Sequence, residues 1–115
     1  MKRSEIWWVD FEPSLGSEPN KPRPAVVVSN DAANGVATRL QRGVVTVVPV
    51  TSNVERVRGF HVLLPADQSG LPRDSKAQAE LVRAVAVERF SSRAGVVPPR
   101  LMAEIDVALR LHLDL

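Results

Sequence analysis

Cysteine is absent from this chain of 115 residues, so neither a disulfide framework nor a thiolate metal site can hold it together. Histidine is scarce. His61 and His112 are the two present, far apart and without the close spacing of a metal-ligand pair. Long apolar runs are also missing. The opening Met1-Lys2-Arg3-Ser4-Glu5 leads straight into a strand-like segment, with no extended apolar leader and no span long enough to cross a bilayer. No membrane partner is expected, and the simplest location is the cytoplasm. An excess of charge of one sign is nearly lacking: 15 Lys+Arg against 13 Asp+Glu leave +2, too little to identify a polyanionic ligand.

What the sequence does contain is globular in character, with 44% hydrophobic and 24% charged residues. Residues 1–115 read as a single domain. No internal repeat or linker divides them, and two halves would each be too small for an ordinary core. A chain this short exposes much of its surface, which leaves room for a dimer without requiring one. The distribution of charge says more than its sum. Between positions 21 and 58 the basic residues Lys21, Arg23, Arg39, Arg42, Arg56 and Arg58 face only Asp31 and Glu55. That segment offers a polyanion a local site, although a solvated basic surface reads the same way.

Strand signals dominate. Ile6-Trp7-Trp8-Val9-Asp10-Phe11 is aromatic and β-branched and predicts a first strand. Residues 13–24 hold four prolines and predict a long loop suited to covering a ligand. Ala25-Val26-Val27-Val28 predicts a second strand, and residues 32–40 a short helix or an irregular link. Residues 44–51 predict a third strand, in which Pro49 suggests an edge or a bulge. Further short strands are expected over 60–64, 74–78 and 81–85, with a turn-rich link at 67–72 and an ambiguous stretch at 88–93. Leu101, Ile105, Ala108, Leu109 and His112 recur at helical spacing and predict a closing helix over 101–113. The expected architecture is mainly β with a C-terminal helix, the sheet antiparallel and curled.

Several blocks, in order, resemble one family. Arg3-Ser4-Glu5-Ile6-Trp7 is similar to its first strand. Gly16-Ser17-Glu18 followed by Arg23-Pro24-Ala25-Val26-Val27-Val28-Ser29-Asn30 is similar to its central signature. Val47-Val48-Pro49-Val50-Thr51-Ser52 resembles the strand carrying a catalytic hydroxyl, and Gln78-Ala79-Glu80-Leu81-Val82-Arg83-Ala84-Val85 a later block. Together they cover nearly the whole chain and resemble the MazF/PemK-type toxin endoribonucleases of type II toxin–antitoxin systems. The resemblance implies an SH3-like small barrel, the CcdB/MazF toxin fold, and a homodimer. It also implies metal-free, sequence-specific cleavage of single-stranded RNA, no cofactor, and a MazE-like antitoxin whose acidic tail covers the RNA groove.

On the same resemblance, the catalytic pair falls on Arg23 and Thr51. The chemistry suits them. RNA carries its own nucleophile, the 2′-hydroxyl, so the protein must align the attack and stabilise the extra phosphate charge. A guanidinium can hold two phosphate oxygens and stays charged throughout, which favours charge stabilisation by Arg23 over a role as base. Thr51 offers one hydroxyl to the phosphate or to the 2′-oxygen. Ser52 and Asn53 are candidate helpers in substrate binding. So are Ser17, Glu18, Asn20 and Lys21 in the first loop, and Gln78 and Glu80 in the later block. Base reading is expected from loops 13–22 and 52–59. Taken alone, Arg23 is an ordinary solvated arginine, Thr51 a strand residue, and Gln78 and Glu80 structural. Trp7 and Trp8, neighbours on a strand, cannot share one face. Neither histidine is placed in the site. Two other readings compete: a CcdB-like gyrase-binding toxin and a non-catalytic SH3-like binding module. The Arg23–Thr51 pair disfavours both, and the ending His112-Leu113-Asp114-Leu115 lacks the aromatic terminus of the gyrase poison.

Overall fold

The computed structural model describes residues 1–11 and 21–115. Among these residues, seven strands and three α-helices follow in the order β1 (Glu5–Val9), β2 (Arg23–Val27), α1 (Asp31–Leu40), β3 (Val44–Thr51), β4 (His61–Leu64), α2 (Ala66–Ser69), β5 (Ser75–Gln78), β6 (Arg83–Ala86), β7 (Phe90–Val96) and α3 (Pro99–Leu113). Every strand pairing is antiparallel. The strands run β4-β5-β3-β2-β1-β7, with β6 also paired to β3.

The expected curled, mainly β, SH3-like barrel is corrected here. The outermost strands, β4 and β7, do not pair with each other, so the sheet is open and uncurled and the molecule is mixed α/β. The physical reason lies in what covers the sheet. Successive residues of a strand point to opposite faces, and near-continuous apolar strands such as Val44-Val45-Thr46-Val47-Val48-Pro49-Val50 need cover on both. Helices supply much of it. On one face α3 sets Leu101, Met102, Ile105 and Ala108 against Ile6, Val26, Val48, Val50, Val62 and Leu64. On the other, Ala37 of α1 packs with Val9, Ala25, Val27, Val45, Val47 and Val85, flanked by half-buried Trp7, Phe11 and Phe90.

The sequence sets the helix ends. Asn30 caps α1, its side chain accepting from the Ala33 amide at 2.8 Å, and Gly35 faces open space within the helix. Pro98 and Pro99 start α3 where no intrahelical amide partner is needed. Buried Asn34 docks α1: its amide donates to the Ser29 carbonyl at 2.8 Å, and the Ser29 hydroxyl donates to Asn34 while accepting from the Thr46 amide at 3.1 Å. Arg3 joins both helices to the end of the sheet. Its backbone amide donates to Asp31 at 2.6 Å and its guanidinium to Asp106 at 2.5 Å.

Two positions settle questions of register. Pro49 does not mark an edge, because β3 is paired on both sides. The Thr46 carbonyl accepts from β2 (Val28 amide, 2.9 Å), so alternation turns Pro49 toward the other side. There β6 pairs as far as Val47 and β5 begins at Val50. The missing amide of Pro49 thus falls in a gap in the ladder, bridged by a 3₁₀ turn over Ala79–Leu81. At Gly95 in β7, a Cβ would stand 2.0 Å from the Ser69 carbonyl oxygen, so only glycine lets α2 approach this strand.

Candidate active site

Residues paired across antiparallel strands share a face. In β1–β2, Val9 pairs with Arg23. In β2–β3, Ala25 pairs with Pro49 and Val27 with Val47, and carrying that register two residues further brings Arg23 level with Thr51. In β3–β5, Thr51 pairs with Lys76, which in turn pairs with Leu63 of β4. One cross-strand row therefore reads Val9, Arg23, Thr51, Lys76, Leu63. It lies on the face of the second apolar cluster, at the end where β2 begins and β3 finishes.

Arg23 is exposed, and among the described residues its guanidinium makes no hydrogen bond or ion pair. Thr51 is half-buried. Its hydroxyl accepts from the Asn53 amide at 3.2 Å, and the Asn53 side chain accepts from the Glu55 amide at 3.2 Å. These two short loops are the local preference of Thr and Asn in turns. They fix the start of loop 52–59 beside the row while leaving the Thr51 hydroxyl proton free to donate. Ser52 and Asn53 are exposed on that loop, and Lys21 is exposed just ahead of β2. Gln78, half-buried, follows Lys76 on the same face of β5 and pairs with His61. Ser17, Glu18 and Asn20, with most of loop 13–22, lie outside the described residues.

Glu80 is turned elsewhere. Its Oε2 accepts from His61 Nε2 at 3.0 Å, and its Oε1 is buried without a hydrogen-bond partner among the described residues. His61 Nδ1 accepts from the Arg58 amide at 3.0 Å, which puts the ring proton on Nε2, where it is donated to Glu80. The pair braces the far end of loop 52–59. Sequence reasoning set His61 aside from the chemistry and did not foresee this brace. A cleft of about 300 Å³ lies next to it, lined by Gly59, His61, Val62, Glu104, Val107 and Ala108. None of the row residues lines it.

Two further residues of this face were missed. Lys76 is only 8% exposed, and its ammonium donates to the Arg56 carbonyl of the loop. A lone lysine within Ser75-Lys76-Ala77-Gln78-Ala79 was the available signal. Arg83, opposite Val47, stacks over the Phe11 ring at 5.1 Å from its centroid. Trp7 packs into the second cluster, with its indole donating to Glu5 at 3.0 Å. Burial pushes the Glu5 carboxyl up, but donation from the Lys2 amide, the Trp7 indole and the Arg93 guanidinium outweighs it and holds the group below the usual carboxylate range. Among the described residues no three His, Asp or Glu side chains converge as a metal site, and no helix is long and apolar enough to cross a membrane.

Comparison with known proteins finds relatives of the whole chain. The family model described as PemK-like, MazF-like toxin of type II toxin–antitoxin system matches residues 2–113. The chain is 58% identical over 115 residues to endoribonuclease MazF9 of Mycobacterium tuberculosis, spanning 100% of this chain and 98% of that protein. Among solved structures, a MazE–MazF crystal structure (Form-II) from Deinococcus radiodurans superposes with a TM-score of 0.80 at 28% identity, covering 100% of this chain and 96% of the other. A MazF crystal structure (Form-I) from the same organism gives 0.77 at 28% identity, covering 100% and 97%.

Proposed function

This chain belongs to the PemK-like, MazF-like toxin family of type II toxin–antitoxin systems, and from that premise we propose that it is a metal-independent endoribonuclease cutting single-stranded RNA at short sequence motifs. The observation that carries the reading is the row that sets a guanidinium, unpaired among the described residues, level with a hydroxyl held at its own strand end. Arg23 takes two oxygens of the scissile phosphate and stabilises the charge that grows there. Thr51 donates its hydroxyl proton to the same phosphate or to the 2′-oxygen. The neighbouring ribose 2′-hydroxyl gives its proton to solvent as its oxygen attacks phosphorus, the bond to the 5′-oxygen breaks and that oxygen takes a proton from solvent, so the products carry a 2′,3′-cyclic phosphate and a 5′-hydroxyl. Water is not the first nucleophile, so the step needs no metal to activate it.

Loop 52–59, with Ser52, Asn53, Arg56 and Arg58, borders the row and is suited to reading bases. Only unpaired bases offer it their Watson–Crick edges, so duplex RNA is a poor substrate. Lys21, Ser17, Glu18, Asn20 and Gln78 are assigned to substrate contact. Glu80, held by His61, acts through the loop it braces. The whole chain acts as one domain and as a homodimer in the cytoplasm, where cutting mRNA stops translation and growth. An acidic antitoxin segment of the MazE kind, as the name of the Deinococcus complex suggests, neutralises it by covering the basic groove.

The test incubates the purified protein with mixed-sequence single-stranded RNA in EDTA and maps the ends. Selective cuts bearing cyclic phosphate and 5′-hydroxyl are expected, with duplex RNA spared. Absence of cutting together with tight binding to gyrase would replace this reading with that of a gyrase-directed toxin.

A further inference from the structure

Lys76 stands apart from the other cations of this face because it is buried. Lysine is among the residues least often found so enclosed unless an anion accompanies it. Yet at 8% exposure Lys76 has no carboxylate within ion-pair distance among the described residues. Its one hydrogen-bond partner there is neutral, the Arg56 carbonyl. An ammonium has three protons to donate, so this bond leaves two unused. A side chain of the same length without charge would fill the space without the desolvation cost.

Register supplies the second observation. Lys76 is the direct cross-strand partner of Thr51, which places their Cβ atoms about 4.5–5.5 Å apart. The loop that bonds Lys76 carries Arg56 and Arg58 with Glu55 as its one carboxylate, so its formal charge is positive and, among the described residues, it gives Lys76 no ion pair. In the cross-strand row, Lys76 is the cation next to Thr51 on the β5 side, as Arg23 is on the β2 side.

We propose that Lys76 is a third phosphate-binding residue of this site: its ammonium takes a phosphate oxygen of the bound RNA strand on the side of Thr51 away from Arg23, while its bond to the Arg56 carbonyl holds loop 52–59 in the conformation that receives the strand. The proposal rests on the nuclease reading above. It assigns the missing counter-anion of Lys76 to the substrate.

The experiment compares the full-length protein with Lys76→Met. Three quantities are measured: thermal unfolding, cleavage of mixed-sequence RNA, and the salt dependence of binding to a 2′-O-methyl single-stranded RNA pool that cannot be cut. Replacing a buried unpaired cation by an apolar side chain of similar length should leave the unfolding temperature unchanged or raised. Cleavage at low salt should fall about tenfold or more. The slope of log affinity against log salt should become shallower by about 0.7, the contribution of one phosphate contact on a single strand. A lowered unfolding temperature with the salt slope intact would make Lys76 a loop anchor only and overturn the proposal, as would unaltered cleavage and slope. Wild-type protein in the same assay separates the two readings. If it fails to cut or bind RNA, the nuclease reading falls and this proposal with it. If it does both and Lys76→Met behaves alike, Lys76 alone is wrongly assigned.

Discussion

The two faces of the sheet solve the same packing problem differently. Under α3 the apolar side chains of five strands meet a full helical stripe, and the buried cluster runs from Ile6 to Ala108. On the opposite face the apolar cluster is smaller and meets α1 through Ala37 alone. Past its edge the same alternation of side chains delivers Arg23, Thr51 and Lys76. A face completely covered by a helix can carry stability and little else. A face only partly covered leaves the ends of its strands to carry polar groups on a rigid frame, which suits them to recognition and chemistry.

That division can be broken from either side. The largest expected effect is on the covered face. Ile105→Ala should destabilise folding by about 2–5 kcal/mol, read as a drop in the denaturant midpoint, because Ile105 is fully enclosed in the cluster. A loss below about 1 kcal/mol would mean that α3 is not what holds this face. Next is Arg23→Ala on the open face. The cleavage rate should fall about a hundred- to a thousandfold, roughly 3–4 kcal/mol of transition-state stabilisation. Folding stability should stay within about 0.5 kcal/mol, since an exposed side chain with no partner among the described residues contributes little. A folded variant cutting at the wild-type rate would remove Arg23 from the chemistry.

The smallest effect concerns the rim, where Glu5 meets Lys2, Trp7 and Arg93. Its folded-state pKa lies below the unfolded value, so the deprotonated group favours the fold. That contribution is complete above about pH 4.5, the ordinary value, and is lost as pH falls through the lower folded value. Glu5→Gln should flatten the acid limb of stability below that pH, by less than about 1 kcal/mol because the Arg93 partner is largely exposed. An acid limb identical to the wild type would show that these bonds do not persist in solution.

Much of the chain was legible in its residues. The run Val44–Thr51 is one strand with the expected bounds, and the closing helix begins at Pro99 and ends at Leu113, because apolar period and proline placement are local signals. The ambiguous stretch at 88–93 resolved into a 3₁₀ turn over Val87–Arg89 and the start of β7. Its exposed serines and arginine carry no period, and pairing with β1 alone makes it a strand. The turn-rich link at 67–72 contains three of the four residues of α2, Ala66–Ser69, a helix too short to show periodicity. Of the candidate site, Arg23 and Thr51 were assigned through resemblance. Lys76 was not, since a lone lysine in that segment marks the residue without showing that it would be enclosed.

From the sequence alone came the absence of cysteine chemistry, the family, the strand-forming runs and the two residue types suited to a phosphate. All of these depend on side-chain identity and on neighbours within a few positions. Only the tertiary structure decided that the sheet stays open, that Pro49 sits in a gap rather than at an edge, that His61 grips Glu80, and that Lys76 stands beside Thr51. Each of these is a contact between segments distant in the chain, fixed by which face of one strand a helix or loop comes to cover, and local pattern carries no record of that choice.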